Sequence, residues 1–154
     1  MKVEMWTDGA CSMINRNGGC AAVLVYGEHV KTFSHGELHT TNNIMELKAV
    51  VLGLLRLKRP VELTIYSDSK YVVNGVNFWR HTWKRNGWTT STGKQVANLE
   101  IWKRLDALLE EKSLSLKVKW VKGHAGNPMN ELADQLAQEA KERIKYQTLK
   151  KAGL

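Results

Sequence analysis

Between Val3 and Ser67 the hydrophobic period changes from two to helical spacing and back to two, a pattern that few folds accommodate. Val3, Met5 and Thr7 alternate with Glu4 and Trp6, as in a strand. A dense apolar run over 19–26 ends at Gly27, and a third strand is expected over 30–34 after a Gly27-Glu28-His29 hairpin connection. Ile44, Leu47, Val50, Val51, Leu54 and Leu55 then recur at helical spacing, behind the N-capping candidates Thr41, Asn42 and Asn43. Lys58 and Arg59 before Pro60 mark the expected end of that helix. Residues 61–67 read as the next strand. A strand reached through a helical crossover runs parallel to an earlier one, so two or three antiparallel strands must acquire a parallel neighbour.

The remainder extends that plan. Short helices are expected over 71–75 and 78–84, and a longer one over 98–111 with Leu99, Trp102, Leu105, Leu108 and Leu109 inward. A fifth strand over 114–121 places Leu116, Val118 and Trp120 on one face. Pro128 at a first helical position opens a last helix, whose apolar stripe is Ala133, Leu136, Ala137, Ala140 and Ile144. No repeat, linker or low-complexity segment interrupts the 154 residues, so one α/β domain over 1–154 with a mixed sheet is expected.

Four acidic residues occupy the joints of this plan. Asp8 and Asp68 each close a strand-like run, Glu46 lies at the start of the first long helix, and Asp134 lies early in the last. If the two strands are parallel neighbours, Asp8 and Asp68 meet at about 5 Å. That is where open α/β sheets bind ligands. Carboxylates so close repel unless protonated or bridged by a cation, and oxygen donors suit Mg²⁺ or Mn²⁺. Singly, each has an ordinary reading. An Asp after a strand is commonly a turn residue, Asn43-Ile44-Met45-Glu46 fits a capping box, and Asp134 fits a solvated helix face.

Charge points outward to a polyanion. The formal net charge is +8, and from Ser69 to Leu99 there is no Asp or Glu. That stretch carries Lys70, Arg80, His81, Lys84, Arg85 and Lys94, with Trp79, Trp83 and Trp88 interleaved, which suits a nucleic-acid backbone. Trp79 is expected to be mainly structural and Trp83 the better contact. Cys11 and Cys20 are too few for a disulfide scaffold, so a reduced, cytoplasmic setting is the default. No signal-peptide pattern opens the chain, and its longest apolar stretch, over 49–55, is far short of the roughly 20 residues of a membrane span. A basic tail is expected over about 141–154, and its part from Lys141 to Lys151 is the one candidate for surface attachment, which would need an amphipathic basic helix.

Five segments, taken together, resemble bacterial ribonuclease H, type 1. In order they are Thr7-Asp8-Gly9-Ala10-Cys11, then the run from Thr40 to Leu47, then Ser67-Asp68-Ser69-Lys70-Tyr71-Val72. Trp120 to Asn127, containing Gly123-His124-Ala125-Gly126, and Asn130-Glu131-Leu132-Ala133-Asp134 complete the set. The resemblance runs to about Lys141 and implies a five-stranded mixed sheet, three antiparallel strands and two parallel additions, flanked by helices. It implies hydrolysis of the RNA strand of RNA–DNA hybrids with two Mg²⁺ ions, Mn²⁺ being able to substitute, leaving 5′-phosphate and 3′-hydroxyl ends. Asp8, Glu46, Asp68 and Asp134 would be the metal ligands and His124 a mobile histidine for proton handling or product release. Cys11, Asn42, Asn43 and Lys70 would read the hybrid, and Thr41 and Asn98 would hold a DNA phosphate. Trp83, Lys84 and Arg85 would belong to a basic protrusion over about 79–97.

The chain departs from the family at Ser12 to Gly19, where a Gly-Asn-Pro-Gly-Pro-Gly-Gly run is usual. Ile44 stands where a basic residue is common, Lys70 for Gln and His39 for Arg. These differences bear on the minor-groove contacts and leave the carboxylates intact. The expected protein is a monomeric endonuclease with no obligate protein partner. The alternatives are another nuclease of the same superfold, such as a junction resolvase or integrase, a hybrid-binding module without catalysis, and the ribonuclease H part of a reverse transcriptase.

Overall fold

The structure, a computed structural model, describes the backbone of residues 1–151 and 153 and the side chains of 1–144 and 153. The basic tail expected over 141–154 thus lies, from residue 145 onward, outside the described side chains. Among the described residues five strands form one sheet in the order β3-β2-β1-β4-β5. These are β1 (Lys2–Cys11), β2 (Gly18–Tyr26), β3 (His29–Glu37), β4 (Val61–Ser67) and β5 (Ser113–Trp120). β1 pairs antiparallel with β2 and β2 with β3, while β4 joins β1 and β5 joins β4 in parallel. The expected mixed sheet is therefore observed. Tyr26 pairs with His29 across the hairpin, and Gly27 takes the positive φ of 58° that this tight connection needs.

Helix α1 (Asn42–Arg56) supplies the crossover from β3 to β4. Thr41 caps it, its Oγ1 accepting the N–H of Ile44 at 3.1 Å. The helix stops at Arg56, short of the cations expected to end it, because Leu57 is already extended and turns into the core. Met5, Leu47, Val50, Leu54, Leu63 and Ile65 are buried together between α1 and the sheet. α4 (Leu99–Lys112) adds Trp102, Leu105, Leu108 and Leu109 to the same core. On the opposite face α5 (Pro128–Lys151) sets Ala133 against Trp6 and Ala137 against Ala10, small side chains that let a long helix approach the strands closely.

Between β4 and α4 the chain forms α2 (Lys70–Asn74), a π-helical turn (Gly75–Trp79) and α3 (Arg80–Arg85). The two separate short helices expected there are one continuous helical path, because the wide turn carries the backbone through without a break. Among the described residues no helix is long and apolar enough to cross a membrane.

Candidate active site

Asp8 does not end its strand. β1 runs on to Cys11 along β2, but its parallel ladder with β4 stops at Thr7↔Ser67. Asp8 and Asp68 thus sit side by side just beyond the last shared rung, where the two strands part. Alternation along β1 puts Asp8 on the face of Trp6 and Ala10, toward α5. The expected meeting is correct, and its cause is the end of one ladder rather than of two strands.

Glu46 comes from the other side. Its Oε1 accepts the main-chain N–H of Gly9 at 3.0 Å, an N–H that also bonds Asp8 Oδ1 at 3.0 Å. The capping box read from the sequence is not formed: Thr41 caps the helix alone, and Glu46, in its second turn, is drawn to β1. Gly9 makes this possible, because a Cβ there would overlap main-chain atoms of Met45 and Glu46. Gly9→Ala is expected to push α1 off β1, costing about 1–3 kcal/mol of stability. Thermal unfolding of the purified variant measures this, and an unchanged midpoint would contradict the contact.

Oxygen atoms of Asp8, Glu46 and Asp68 all lie within 4.8 Å of one another. Asp8 and Glu46 are buried, and Glu46 Oε2 has no hydrogen-bond partner among the described residues. Burial, followed by the charges of Glu46 and Asp68, pushes the Asp8 carboxyl far above the usual carboxylate range. Burial also raises Glu46. Oxygen donors at this spacing, one of them orphaned, fit a hard divalent cation. Asp134 stands outside this tight triad but lines the same cleft, with Oδ2 4.0 Å from His124 Nδ1. His124 is exposed and its backbone takes a positive φ of 56°.

The cleft, of about 410 Å³, also collects Cys11, Asn42 and Asn43, as expected, together with Ser69, Gln138 and Lys141. The last two were not anticipated, although they follow Asp134 at helical spacing and so share its face of α5. Cys11 Sγ rests 3.4 Å from the Thr40 carbonyl. Lys70 instead lies with Nζ 5.1 Å from the centre of the Trp120 ring, and the Trp120 indole N–H donates to the Asp68 carbonyl at 3.1 Å. Asn98, at the start of α4, makes no capping bond with its side chain and donates to the Tyr71 hydroxyl at 3.2 Å.

The basic stretch differs from expectation in its tryptophans. Trp83 is half-buried, its ring 5.3 Å from that of Trp102, whereas Trp79 is the exposed one. Trp79 and Trp83, four residues apart, stay on one side of the helical path with ring centroids 5.9 Å apart, and Trp83 is the one that α4 covers through Trp102. Lys84 and Arg85 are exposed, with Lys84 Nζ 2.9 Å from Asp106 Oδ2.

The family model RNase H matches residues 1–142. The chain is 50% identical over 137 residues to a Ribonuclease H of Bradyrhizobium diazoefficiens, covering 89% of this chain and 88% of the relative. It is 51% identical over 136 residues to one of Marinobacter nauticus, covering 88% and 91%. Among solved structures, LC9-RNase H1, a type 1 RNase H with the type 2 active-site motif, superposes with a TM-score of 0.82 at 26% identity, over 92% of this chain and 72% of that one. A foamy viral protease-reverse transcriptase in complex with RNA/DNA hybrid shares the fold, with a TM-score of 0.80 at 21% identity over 90% and 20%. Because the family match runs through all four acidic residues and the histidine loop, the chain belongs to the ribonuclease H family.

Proposed function

We propose that this protein is an endonuclease that hydrolyses the RNA strand of RNA–DNA hybrids. One observation carries the reading: a chain of net charge +8 concentrates three carboxylates within 4.8 Å of one another, two of them buried, in a family named for this activity. Asp8, Glu46 and Asp68, with Asp134 beside them, would hold two Mg²⁺ ions. When bound, these ions supply a hydroxide-strength nucleophile and neutralise the charge on the departing oxygen. The chain's own residues do the rest. Gly9 N–H orients Glu46, Asp8 centres the donor set, and Asp134 keeps His124 at the mouth of the cleft. His124, an exposed imidazole beside Asp134, passes a proton to or from the departing product. Scission between phosphorus and the 3′ oxygen leaves 5′-phosphate and 3′-hydroxyl ends.

Recognition of a hybrid requires a reader of 2′-hydroxyls, which lie in the wide minor groove. Cys11, Asn42 and Asn43 line the cleft for that role, and Lys70 stands beside it on Trp120. Thr41 at the N-terminus of α1 and Asn98 would take a DNA phosphate, the helix end adding its partial positive charge. Residues 79–97 would grip the DNA strand with Lys84, Arg85 and the aromatic faces of Trp79 and Trp83. The whole chain is read as one catalytic domain acting as a monomer in the cytoplasm, a setting that suits the unpaired Cys11 and Cys20.

The test is cleavage of matched RNA–DNA hybrid, duplex DNA and a four-way DNA junction, with Mg²⁺ and with chelator. The expected result is Mg²⁺-dependent cutting of the hybrid's RNA strand alone, with a 5′-phosphate on the product. Binding of hybrid without turnover in either Mg²⁺ or Mn²⁺, or preference for the junction, would overturn the reading.

A further inference from the structure

The stretch from Ser69 to Leu99 holds no acidic residue, so any partner for its cations must come from elsewhere. It comes from α4. Arg80 is 6% exposed and Asp106 5%. Arg80 Nε–H donates to the Val76 carbonyl at 2.6 Å, and Nη1 donates to Asp106 Oδ1 at 2.8 Å and to Glu110 Oε1 at 3.4 Å. The second oxygen of Asp106 faces Lys84 Nζ at 2.9 Å. Arg80 and Lys84 are four apart on α3, and Asp106 and Glu110 four apart on α4, so two helix faces of opposite charge meet in register. The π-helical turn before Arg80 is seated on Trp102, one helical turn ahead of Asp106, where Gly75 leaves no room for a Cβ beside the ring.

The division of labour on Asp106 is informative. Its side chain is 7% exposed, as is that of Arg80, while that of Lys84 is 48% exposed. A carboxylate paired with Lys84 alone would hold that ammonium in place and cancel it. With Arg80 on the other oxygen the interior negative charge is already balanced. Lys84 is then oriented by Asp106 while the buried Arg80–Asp106 pair is neutral in itself; Glu110, 3.4 Å from Arg80 and 63% exposed, offsets the remaining positive charge only across solvent, which screens it.

We propose that Arg80 is a positioning residue for substrate: by neutralising buried Asp106, it lets that carboxylate aim Lys84 at a phosphate of the bound hybrid without consuming its charge. This rests on the reading of residues 79–97 as the grip on the hybrid. Removing Arg80 leaves Asp106 to Lys84 alone, and the segment loses one phosphate contact although Lys84 is still present.

The salt dependence of KM for a short synthetic RNA–DNA hybrid in Mg²⁺ reports this, because each neutralised phosphate contributes about 0.7–0.9 to the slope of log affinity against log salt. For Arg80→Met the slope is expected to fall by about that amount, KM at moderate salt to rise roughly tenfold and kcat to stay within about twofold. Lys84→Met, at an exposed position, should give the same fall. The double variant should fall no further, since both changes remove one contact. Arg80→Lys should restore most of the slope, because its ammonium can balance Asp106. A merely structural Arg80 would lower the melting temperature and leave the slope alone. An unchanged slope in Lys84→Met, or additive slopes in the double variant, would overturn the proposal. Arg85→Ala separates it from the reading beneath it. A fall in that slope or in Lys84→Met with none in Arg80→Met defeats the positioning role alone, whereas no fall in either Arg85→Ala or Lys84→Met defeats the grip and the positioning together.

Discussion

Asp8→Asn is expected to reduce hybrid cleavage by about a thousandfold or more at saturating Mg²⁺, a loss of roughly 4 kcal/mol in transition-state stabilisation. The substitution keeps the shape of the side chain, so the loss reports the charge. Asp8 is the carboxyl on which Glu46, Asp68 and Asp134 all bear, and a neutral amide at that point weakens the donor set as a whole. Asp68→Asn is expected to act in the same direction, since Asp68 belongs to the same cluster of oxygens within 4.8 Å. Single-turnover cleavage of a hybrid labelled on the RNA strand measures both. Full activity in either variant would sink the assignment of the carboxylates.

The same Asp8→Asn change should stabilise the metal-free protein at neutral pH, the opposite sign from its effect on activity. Burial and neighbouring negative charge raise the Asp8 carboxyl well above the value of about 4 that it has in the unfolded chain. The folded state therefore holds a proton that the unfolded state releases. Native stability is greatest below that unfolded value and is lost as pH rises toward the raised one. Asn carries no such penalty. In chelator at pH 7 the variant should be more stable by about 2 kcal/mol, a melting shift of roughly 4–8 °C, and the gain should shrink as pH falls toward 4. Adding Mg²⁺ should raise the melting temperature of the unaltered protein and much less that of the variant, because the cation removes the repulsion that Asn has already relieved. A less stable variant at pH 7 without metal would contradict this account of the site.

Much of this was legible in the residues themselves. Val3, Met5 and Thr7 alternate in the sequence and line up in β1, and Ala133, Ala137 and Ala140 recur and bury against the sheet. The crossover at α1 required a parallel partner for β4, and β1 is that partner. The four carboxylates were identifiable because their flanking motifs are specific. What the residues did not reveal were particular side-chain partners on other elements. Glu46 fitted a local capping pattern, yet Gly9 on a neighbouring strand holds it. Trp83 was read as the better contact of the two, yet Trp102 of α4 covers part of its ring. Lys84 was read within a stretch free of acidic residues, and its partner Asp106 lies outside that stretch on α4.

The order of elements, the mixed sheet and the set of acidic residues follow from the residues alone, because hydrophobic period and motif are local properties written along the chain. Where the β1–β4 ladder ends, that Gly9 admits Glu46 to the site, and that Arg80 balances Asp106 beneath Lys84 emerge only once the chain has folded. Those outcomes depend on burial and on charge at a few ångströms, which no single segment carries until the sheet and its helices have packed.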